Sequence, residues 1–407
     1  MTSFTFLCSE CGARYGEREV RYVCPACAAR QQPGGPTRGV LEVVLDELPL
    51  PLPAPPFNTP EMLARMLPVA SAASLPPIPV GGSPLLSVPG LRRHLGMPNL
   101  WVKDDSRNPS GSTKDRASWL VVAKAGEYGY GTVACASTGN AATALACAAA
   151  AVGLRAVVFV PAAAPPAKLV QIAAYGATLV AVDGTYDQAF DLCAAACERF
   201  GWYNRNTAFN PFTIEGKKTA AIEIVAQLAP QRPDVVLVPV GDGVIVAGVA
   251  RGFRQTLAVP PRLLAAQPEG SAAIARALRA SSTTVTPIVG ARSVADSLVV
   301  GAPRNAGMAI REVRGLGGTG VIVSDDAILD AIALLARTSG VFAEPAGAAA
   351  LAGLLAARSE CLVDADERVV LLVTGSGVKD IAAAGRVVTL PGAIPPDLDS
   401  VAAALSR

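Results

Sequence analysis

From about residue 98 onward, short apolar runs alternate with longer segments of helical composition. This alternation is typical of parallel strands joined by helices, because successive parallel strands need a long crossover connection. Helices then cover both faces of the sheet, and the strands read as continuous apolar runs. The predicted strands are 100–103, 132–136, 155–160, 177–182, 235–240, 262–267 and 368–374. The predicted helices are 114–127, 140–152, 186–199, 214–228, 270–280, 324–338 and 346–357. The predicted fold class is therefore α/β.

The composition is that of a long chain without a strongly charged surface. Of 407 residues, 51% are hydrophobic and 17% are charged, which allows two or three domains. The formal net charge of +2 gives no reason to expect nucleic acid or an anionic membrane as a partner. The most apolar stretch, 141–160, is interrupted by Thr143, Gly153 and Arg155, and the N-terminus lacks the features of a signal peptide. We therefore expect a cytoplasmic protein.

Four cysteines near the N-terminus have the spacing of a structural zinc site. Cys8 and Cys11 form one Cys-x-x-Cys pair, and Cys24 and Cys27 form a second pair after 12 intervening residues. Two such turns can place four thiolates around Zn²⁺, which leaves no open position for catalysis. We predict a zinc-ribbon-like module over 1–45, with unliganded thiols or a degenerate, metal-free site as the alternatives. A nucleic-acid reader is disfavoured, because the module mixes arginines with glutamates.

Polar or glycine-rich loops follow four of the predicted strands. Ligands of parallel sheets bind beyond the carboxyl ends of the strands, where loops lead into helix N-termini. The loops are NPSGSTKDR (108–116), STGN (137–140), GDGVI (241–245) and GSG (375–377). Each alone is an ordinary turn signal, and a lysine such as Lys114 in the first loop is most often a solvated charge. Together the loops predict a ligand-binding cleft that contains Lys114.

The chemistry of these loops suggests pyridoxal phosphate as the cofactor. GDGVI opens a predicted helix whose free N–H groups could hold a phosphate, although it is neither a Walker loop nor a dinucleotide fingerprint. The aldehyde of pyridoxal phosphate forms a Schiff base with lysine, and its ring acts as an electron sink. STGN would then meet the carboxylate of an amino acid substrate. A neutral hydroxyl such as that of Thr374, facing the pyridine nitrogen, favours elimination over transamination.

Six segments with recognisable spacing occur in one order along the chain. They are KDDSRNPSGSTKDR (103–116), ASTGN (136–140), EGKKT (215–219), GDG (241–243), EPAG (344–347) and TGSGVKD (374–380). This order resembles the threonine synthase branch of the fold type II, or tryptophan synthase β-like, pyridoxal phosphate enzymes. The family pattern has Asn-Pro-Thr-Gly-Ser-Phe-Lys-Asp-Arg, Ala-Ser-Thr-Gly-Asn, Glu-Gly-Gln-Lys-Thr, a glycine loop, Glu-Pro-Ala and Thr-Gly-x-Gly-Leu-Lys-Asp. The likeness covers most of the chain and includes the cysteine module.

The resemblance implies roles for individual residues. Lys114 would form the Schiff base and move protons at the substrate carbons, Asn140 would bond the phenolic oxygen of the cofactor, and Thr374 would face the pyridine nitrogen. Glu344 is left outside the core set as a supporting or helix-start residue. The implied substrate-binding residues are Ser137, Thr138, Gly139 and Asn140. The implied cofactor-binding residues are Lys114, Asn140, Gly241, Asp242, Gly243, Val244, Ile245 and Thr374.

The resemblance also implies how the chain is divided. Two parallel-sheet domains are expected, of which the smaller carries STGN and closes over the substrate. The predicted parts are the module 1–45, a proline-rich linker or wrapping segment 46–79, a larger cofactor-binding domain 80–128 and 214–407, and a smaller mobile domain 129–213. A homodimer is expected from the resemblance alone.

Three positions depart from the family pattern where that pattern binds the phosphate of O-phosphohomoserine. The family segment Asn-Ser-x-Asn-Pro-x-Arg reads TAFNPFT here, so that Thr207, Ala208 and Thr213 replace Asn, Ser and Arg. A hydroxyl replaces a bidentate arginine contact to phosphate poorly, unless another cation substitutes. The candidate substitutes are Arg205, Lys217 and Lys218.

We therefore predict a pyridoxal phosphate-dependent lyase of the threonine synthase branch. It would eliminate or replace a leaving group at Cβ or Cγ of an amino acid. The alternatives are threonine synthase proper, which acts on O-phosphohomoserine and water, and a non-catalytic protein that binds the cofactor or an amino acid. Two acidic side chains carry further expectations: Asp242 should point away from the phosphate and cap the next helix, and Asp296 should either approach the substrate or cap a helix.

Overall fold

The computed structural model describes residues 3–32, 35–46, 60–164 and 166–405. The strands within these residues are β1 (Phe4–Cys8), β2 (Arg14–Gly16), β3 (Leu41–Leu45), β4 (Leu85–Leu86), β5 (Leu100–Asp104), β6 (Thr132–Ala136), β7 (Arg155–Pro161), β8 (Thr178–Val182), β9 (Tyr203–Asn204), β10 (Val235–Pro239), β11 (Arg262–Pro268), β12 (Thr319–Val323) and β13 (Val369–Val373).

The helices within the same residues are α1 (Pro25–Ala28), α2 (Pro60–Ala64), α3 (Pro89–Leu95), α4 (Lys114–Glu127), α5 (Asn140–Ala151), α6 (Pro166–Ala174), α7 (Tyr186–Phe200), α8 (Phe212–Glu215), α9 (Lys218–Leu228), α10 (Val244–Thr256), α11 (Ala273–Arg279), α12 (Ala306–Gly315), α13 (Asp325–Ser339), α14 (Pro345–Ser359), α15 (Ile381–Gly385) and α16 (Leu398–Leu405).

The larger of the two parallel sheets has six strands in the order β12-β11-β10-β13-β5-β4. All pairs are parallel except the edge pair, in which β4 runs antiparallel to β5. Every residue of the central strands β10 and β13 is buried, as their unbroken apolar sequences predict. Helices α13 and α14 pack on one face, and α9 to α12 pack on the other. The prediction of a parallel α/β sheet is confirmed.

The smaller sheet has four parallel strands in the order β8-β7-β6-β9. All four lie between residues 132 and 204, inside the predicted smaller domain 129–213. Helices α4 and α5 pack on one face, and α7 packs on the other. Because α4 shares its core with this sheet, its packing argues for a boundary earlier than 129. The domain boundaries themselves stay predictions.

The N-terminal strands form a separate antiparallel sheet in the order β2-β1-β3. The ring of Phe4 packs edge-on against Phe212 of α8, with ring centroids 5.9 Å apart. The segment LPLPLPAPP of the predicted linker lies outside the described residues. Residues 60–79 pack on the body of the protein: Leu63 and Leu67 are buried, and Trp119 Nε1 donates to the Pro76 carbonyl oxygen at 2.9 Å. This part of 46–79 is therefore a wrapping segment.

Several observed elements differ from the predicted ones. The predicted helix 214–228 is divided into α8 and α9, with Gly216 and Lys217 between them. Gly216 lies so close to α4 that an added Cβ would be 2.2 Å from the Arg116 carbonyl oxygen. Strand β12 was not predicted, since its second residue is Gly320. The backbone of α11 lies so close that a Cβ at Gly320 would be 2.4 Å from the Cα of Ala275. Helices α6 and α12 were also not predicted. In the described part of the chain, no helix is both long and apolar enough to span a bilayer.

Candidate active site

The predicted loops meet at a cleft formed by two connected cavities. The first has a volume of about 580 Å³ and the second about 940 Å³, and both are lined by Gly139, Asn140, Asp296 and Ser297. The smaller cavity is lined by Lys114, the STGN loop and the GDGVI loop. Three of the four predicted loops, two at carboxyl ends of strands in the larger sheet and one at the carboxyl end of β6 in the smaller sheet, therefore line one cavity.

Lys114 is the first residue of α4, and its amine has no partner in the described structure. No hydrogen bond or carboxylate within 4.0 Å is found for its Nζ among the described residues. Burial lowers the pKa of Lys114 to about 8; the carboxylates of Glu344 and Asp242 oppose this shift, and the charge of Arg205 adds to it. An amine of this kind is a nucleophile and a proton carrier near neutral pH.

The loop that carries Lys114 is tied to the loop that follows β13. Thr113 donates its backbone N–H to the Thr374 carbonyl oxygen at 2.9 Å, and Ser112 forms an isolated antiparallel bridge with Gly375. Thr374 is 3% exposed, but it does not line either cavity. Its predicted contact with a pyridine nitrogen stays a prediction.

The STGN loop leads from β6 into α5 and ends in a hydrogen bond to Glu344. Gly139 donates its N–H to Ser137 Oγ at 3.2 Å, and Asn140 Nδ2 donates to Glu344 Oε1 at 2.8 Å. Glu344 is buried, and burial raises its pKa to about 7, against the charge of Lys114 and the bond from Asn140. Gly375 is required here, since a Cβ would lie 2.2 Å from Glu344 Oε1. The sequence interpretation left Glu344 outside the core set, yet it lies in the site.

The GDGVI loop has the form of a phosphate cradle. Gly243 has φ +90°, and a Cβ there would lie 2.7 Å from Ala309 Cβ and 3.0 Å from the Asn305 carbonyl oxygen. Helix α10 begins directly afterwards at Val244, so its first N–H groups have no intrahelical acceptor. Free N–H groups and the positive end of the helix dipole favour a phosphate at this end. The cradle and the amine of Lys114 line the same cavity, so these residues fit pyridoxal phosphate.

The carboxylate of Asp242 points towards the start of α12 and does not cap α10, the helix that follows Asp242 in the chain. Its Oδ1 accepts the backbone N–H of Arg304, and its Oδ2 has no hydrogen-bond partner in the described structure. The N-cap of α10 is Gly243, without a side-chain cap. Burial raises the pKa of Asp242 to about 6, and the cations Arg304, Lys217 and Lys114 oppose this. The expectation that Asp242 caps the next helix was wrong.

A closed network of buried charges fixes the first turn of α4. Arg116 binds Asp105 through Nε at 2.8 Å and Nη2 at 2.8 Å, and it binds Glu223 through Nη1 at 2.6 Å. Lys103 donates to Glu223 at 2.6 Å and to the Ser83 carbonyl oxygen at 2.6 Å. Burial alone would raise the pKa of Glu223, but Arg116 and Lys103 outweigh it and hold that pKa below its ordinary value. The network positions the helix that carries Lys114.

Of the three altered positions, only Thr207 lines the cleft. Ala208 is buried with φ +61°, and Thr213 is buried with its hydroxyl donating to the Asn210 carbonyl oxygen at 2.7 Å. The cavity also contains Lys217 and Arg304. Lys217 was one of three candidate substitutes, whereas nothing in the local sequence pointed to Arg304. Asp296 lines both cavities, which agrees with an approach to the substrate, and it is the first residue of a short 3-10 helix whose N-cap position is Ala295.

The four N-terminal cysteines are brought together as predicted. Their sulfur atoms lie within 4.8 Å of one another, and the distances are 3.8 Å for Cys8–Cys27 and 3.7 Å for Cys11–Cys24. Zn–S bonds of about 2.3 Å would place the sulfurs of a tetrahedral site roughly 3.8 Å apart. The donor set therefore fits a zinc ion with four thiolate ligands.

The fold and the cleft define an α/β protein of the fold type II class. The chain matches the family described as pyridoxal-phosphate dependent enzyme over residues 78–375, and it belongs to that family. It is 34% identical to a threonine synthase of Methanosarcina acetivorans, and the alignment covers 98% of each chain. It is 33% identical to a threonine synthase of Methanocaldococcus jannaschii, over 96% of this chain and 97% of the other.

A solved structure supports the same fold. The processed form of threonine deaminase isoform 2 from Solanum lycopersicum superposes with a TM-score of 0.66 and 26% identity, over 76% of this chain and 88% of that chain. The chain is thus a threonine synthase-like, pyridoxal phosphate-dependent lyase, and the sequence prediction of its family and enzyme class is confirmed.

Proposed function

We propose that the cleft catalyses elimination or replacement of a leaving group on the side chain of an amino acid, with Lys114 as the group that moves protons at the substrate. The observation that carries this proposal is the position of Lys114. Its amine heads α4 without a described partner, lines the same cavity as the Gly243 cradle, and has a pKa of about 8 because it is buried. A base with a pKa near the working pH transfers protons efficiently.

Pyridoxal phosphate, when bound, supplies the electron sink for bonds at the substrate α-carbon. The groups that would hold it are the amine of Lys114, the amide of Asn140, the hydroxyl of Thr374 and the N–H groups of the cradle. The cradle residues are Gly241, Asp242, Gly243, Val244 and Ile245. A hydroxyl rather than a carboxylate at the pyridine nitrogen favours elimination over transamination.

The substrate carboxylate would be bound by the STGN loop. Ser137, Thr138 and Gly139 line the cavity beside Lys114, and Asn140 begins a 12-residue helix whose first N–H groups favour an anion. The bond from Asn140 to Glu344 fixes the side chain of Asn140. A smaller domain near 129–213 would carry this loop and close over the substrate, which excludes water from the cleft.

Formation of threonine from O-phosphohomoserine and water is the second candidate reaction. The relatives favour it, because two threonine synthases align with this chain over almost its whole length. Thr207, the one altered position of the three that lines the cleft, argues for a changed pocket. Product analysis with O-phosphohomoserine, phosphoserine, serine, threonine and diaminopropionate would distinguish the two, since efficient threonine formation from O-phosphohomoserine would establish the second candidate.

We further propose that the cysteine module binds a structural zinc ion and that the enzyme is a cytoplasmic homodimer. The arrangement of Cys8, Cys11, Cys24 and Cys27 supports the metal, and the resemblance to fold type II enzymes supports the dimer. Metal analysis should find one zinc per chain, and serine in place of Cys24 should lower that content without changing the cofactor content of the correctly folded protein.

Replacement of Lys114 tests the proposed function directly. Lys114→Ala should lower turnover by about 1,000-fold, because both the anchor and the proton carrier are lost. The visible absorbance of the lysine-bound cofactor should also disappear. Lys124→Ala, on the same helix but paired with Glu17 and Glu127, is the matched control and should keep that absorbance. An unchanged spectrum in Lys114→Ala would refute the role of Lys114, and a wild type that binds the cofactor but turns over no amino acid would indicate a binding protein.

A further inference from the structure

Lys217 is a buried lysine that lines the cleft. It lies between α8 and α9, is 1% exposed, and lines the smaller cavity together with Thr207 and Gly243. Its Nζ donates to the Thr213 carbonyl oxygen at 2.8 Å. Among the described residues, this is its one hydrogen bond, and no carboxylate oxygen lies within 4.0 Å of it. Two of its three N–H donors therefore remain for a ligand.

The adjacent Lys218 shows how a buried lysine is satisfied by the protein itself. It is 0% exposed, and its Nζ forms an ion pair with Glu215, whose other oxygen lies 3.4 Å from Nε of Arg251. Lys218 lines neither cavity. Burying an ammonium group without a counterion is unfavourable. The protein thus supplies a counterion to one of the two lysines and leaves the other directed at the cavity.

The other charges around Lys217 increase the demand for an anion. Burial lowers its pKa well below the ordinary value of 10.5, the cations Arg205 and Lys114 lower it further, and Asp242 acts in the opposite direction. Asp242 already accepts the backbone N–H of Arg304. An anion in the cleft would raise the pKa of Lys217 again and so favour its protonated, cationic form.

The backbone of Lys217 packs against the helix that begins at the phosphate cradle. A Cβ on Gly248, in the second turn of α10, would lie 2.8 Å from the Cβ of Lys217. The free N–H groups at the start of α10 and the amine of Lys217 thus serve the same cavity. Two independent groups, a helix N-terminus and a buried ammonium, converge on one class of ligand. The family pattern has glutamine at this position, so the cation is a feature of this chain.

We infer that Lys217 is the cationic partner of a phosphate group bound in the cleft. The inference rests on the proposed function and adds a residue that selects the ligand. The phosphate belongs either to the cofactor or to the side chain of the substrate. In the second case Lys217 replaces the arginine that the family pattern has at position 213.

The test compares Lys217→Gln, Lys217→Arg and the matched control Lys218→Gln. Two quantities are measured on each purified protein: the affinity for pyridoxal phosphate, by titration of visible absorbance, and the binding and turnover of phosphoserine, O-phosphohomoserine, serine and threonine by the holoenzyme. Binding is followed by the change in cofactor absorbance, so it is observed even without turnover. Inorganic phosphate serves as a competing probe.

If the phosphate is that of the substrate, Lys217→Gln should weaken binding of the phosphorylated amino acids and of inorganic phosphate by about 30-fold, because a charge-assisted hydrogen bond is lost. Binding of serine and threonine should change by less than about twofold, and Lys217→Arg should restore most of the loss. If the phosphate is that of the cofactor, the affinity for pyridoxal phosphate should fall by a similar factor, and all amino acids should be affected equally.

The inference is overturned if Lys217→Gln and Lys218→Gln change the affinities for the cofactor and for the phosphorylated ligands by the same factor. It is also overturned if Lys217→Gln changes neither the affinity for the cofactor nor the preference for phosphorylated ligands. The proposed function fails separately, through a wild-type holoenzyme that releases no product from any substrate. Phosphate binding that depends on Lys217 would survive that second outcome.

Discussion

Two clusters of buried charge meet at the start of α4, and they are built in opposite ways. Around Arg116, every cation has its counterion: Asp105 and Glu223 bind Arg116, and Glu223 also binds Lys103. The three donors of Lys103 reach Glu223, the Ser83 carbonyl oxygen and Gln227. This network holds the backbone and leaves nothing for a ligand.

The second cluster, in the cleft, is incompletely paired. Among the described residues, the amine of Lys114 has no hydrogen-bond partner, and that of Lys217 donates to one acceptor, the Thr213 carbonyl oxygen. Asp242 Oδ2 accepts no hydrogen bond from these residues. The pKa of Lys114 is lowered to about 8 and that of Glu344 is raised to about 7, in each case first by burial. Buried charge therefore has two uses in this protein. Complete pairing secures a position, and incomplete pairing leaves groups ready to bind an anion and exchange protons.

The largest effect should come from removing Arg116 from the fully paired cluster. Arg116→Met leaves Asp105 and Glu223 buried with fewer partners, so the free energy of unfolding should fall by about 3–5 kcal/mol. Urea unfolding of the purified protein measures this. The double variant Arg116→Met, Asp105→Asn should recover part of the loss, because Asp105 is the carboxylate whose ion pair is broken, whereas Glu223 keeps its pair with Lys103. A decrease below about 1 kcal/mol would show that the network does not secure α4.

A smaller effect on stability should follow from neutralising Asp242 in the incompletely paired cluster of the cleft. Its pKa rises from the ordinary 3.8 to about 6 in the folded protein, so the folded state holds a proton that the unfolded chain releases. This carboxyl therefore destabilises the fold increasingly as the pH rises from about 4 to 6, and the penalty is complete above pH 6. Asp242→Asn keeps the bond from Arg304 and should stabilise the cofactor-free protein by about 2 kcal/mol at pH 8 relative to pH 4.

Urea unfolding of wild type and Asp242→Asn at both pH values tests the sign. The reverse result, in which the variant gains more stability at low pH, would mean that Asp242 is paired more strongly than its surroundings indicate. Asp234→Asn is a matched control, because Arg368 lowers the pKa of Asp234 and its contribution has the opposite sign.

The smallest effect should be a shift in the pH dependence of turnover. The carboxylate of Glu344 raises the pKa of Lys114, so Glu344→Gln should lower that pKa while an acceptor for Asn140 remains. The limb of the pH–rate profile that reports Lys114 should move down by about one pH unit. Glu223→Gln, in the fully paired cluster, should leave this limb unchanged, because Glu223 lines neither cavity. A limb that moves up in Glu344→Gln would contradict the assigned coupling.

Much of the fold could be predicted because the strands carry continuous apolar runs. β10 and β13 are buried on both faces, so their position in a parallel sheet follows from hydrophobicity alone. β12 could not be predicted, because its Gly320 reflects the close approach of α11, which is a tertiary contact. Gly216, between α8 and α9, likewise reflects a tertiary contact, the close approach of the α4 backbone.

The site residues likewise include some that could be predicted from the sequence and some that could not. Lys114, the STGN loop and Gly243 could be predicted because each follows the carboxyl end of a parallel strand, where ligands bind. That β6 of the smaller sheet ends opposite β5 and β10 of the larger sheet follows from the tertiary structure. Glu344 and Lys217 are different, because their importance lies in which charges surround them. Glu344 reaches the site through its bond to Asn140, and Lys217 differs from Lys218 only in the direction its side chain takes.

The parallel α/β architecture, the family and the loops that can hold a cofactor could all be predicted from the sequence, since they depend on local apolar runs, glycines and the order of motifs. Which buried charges are paired and which face the cleft became visible in the folded structure. Pairing depends on distances between side chains far apart along the chain, such as Arg116 and Glu223 or Asn140 and Glu344. The desolvation that shifts the pKa of Lys114 exists only when the chain is folded around it.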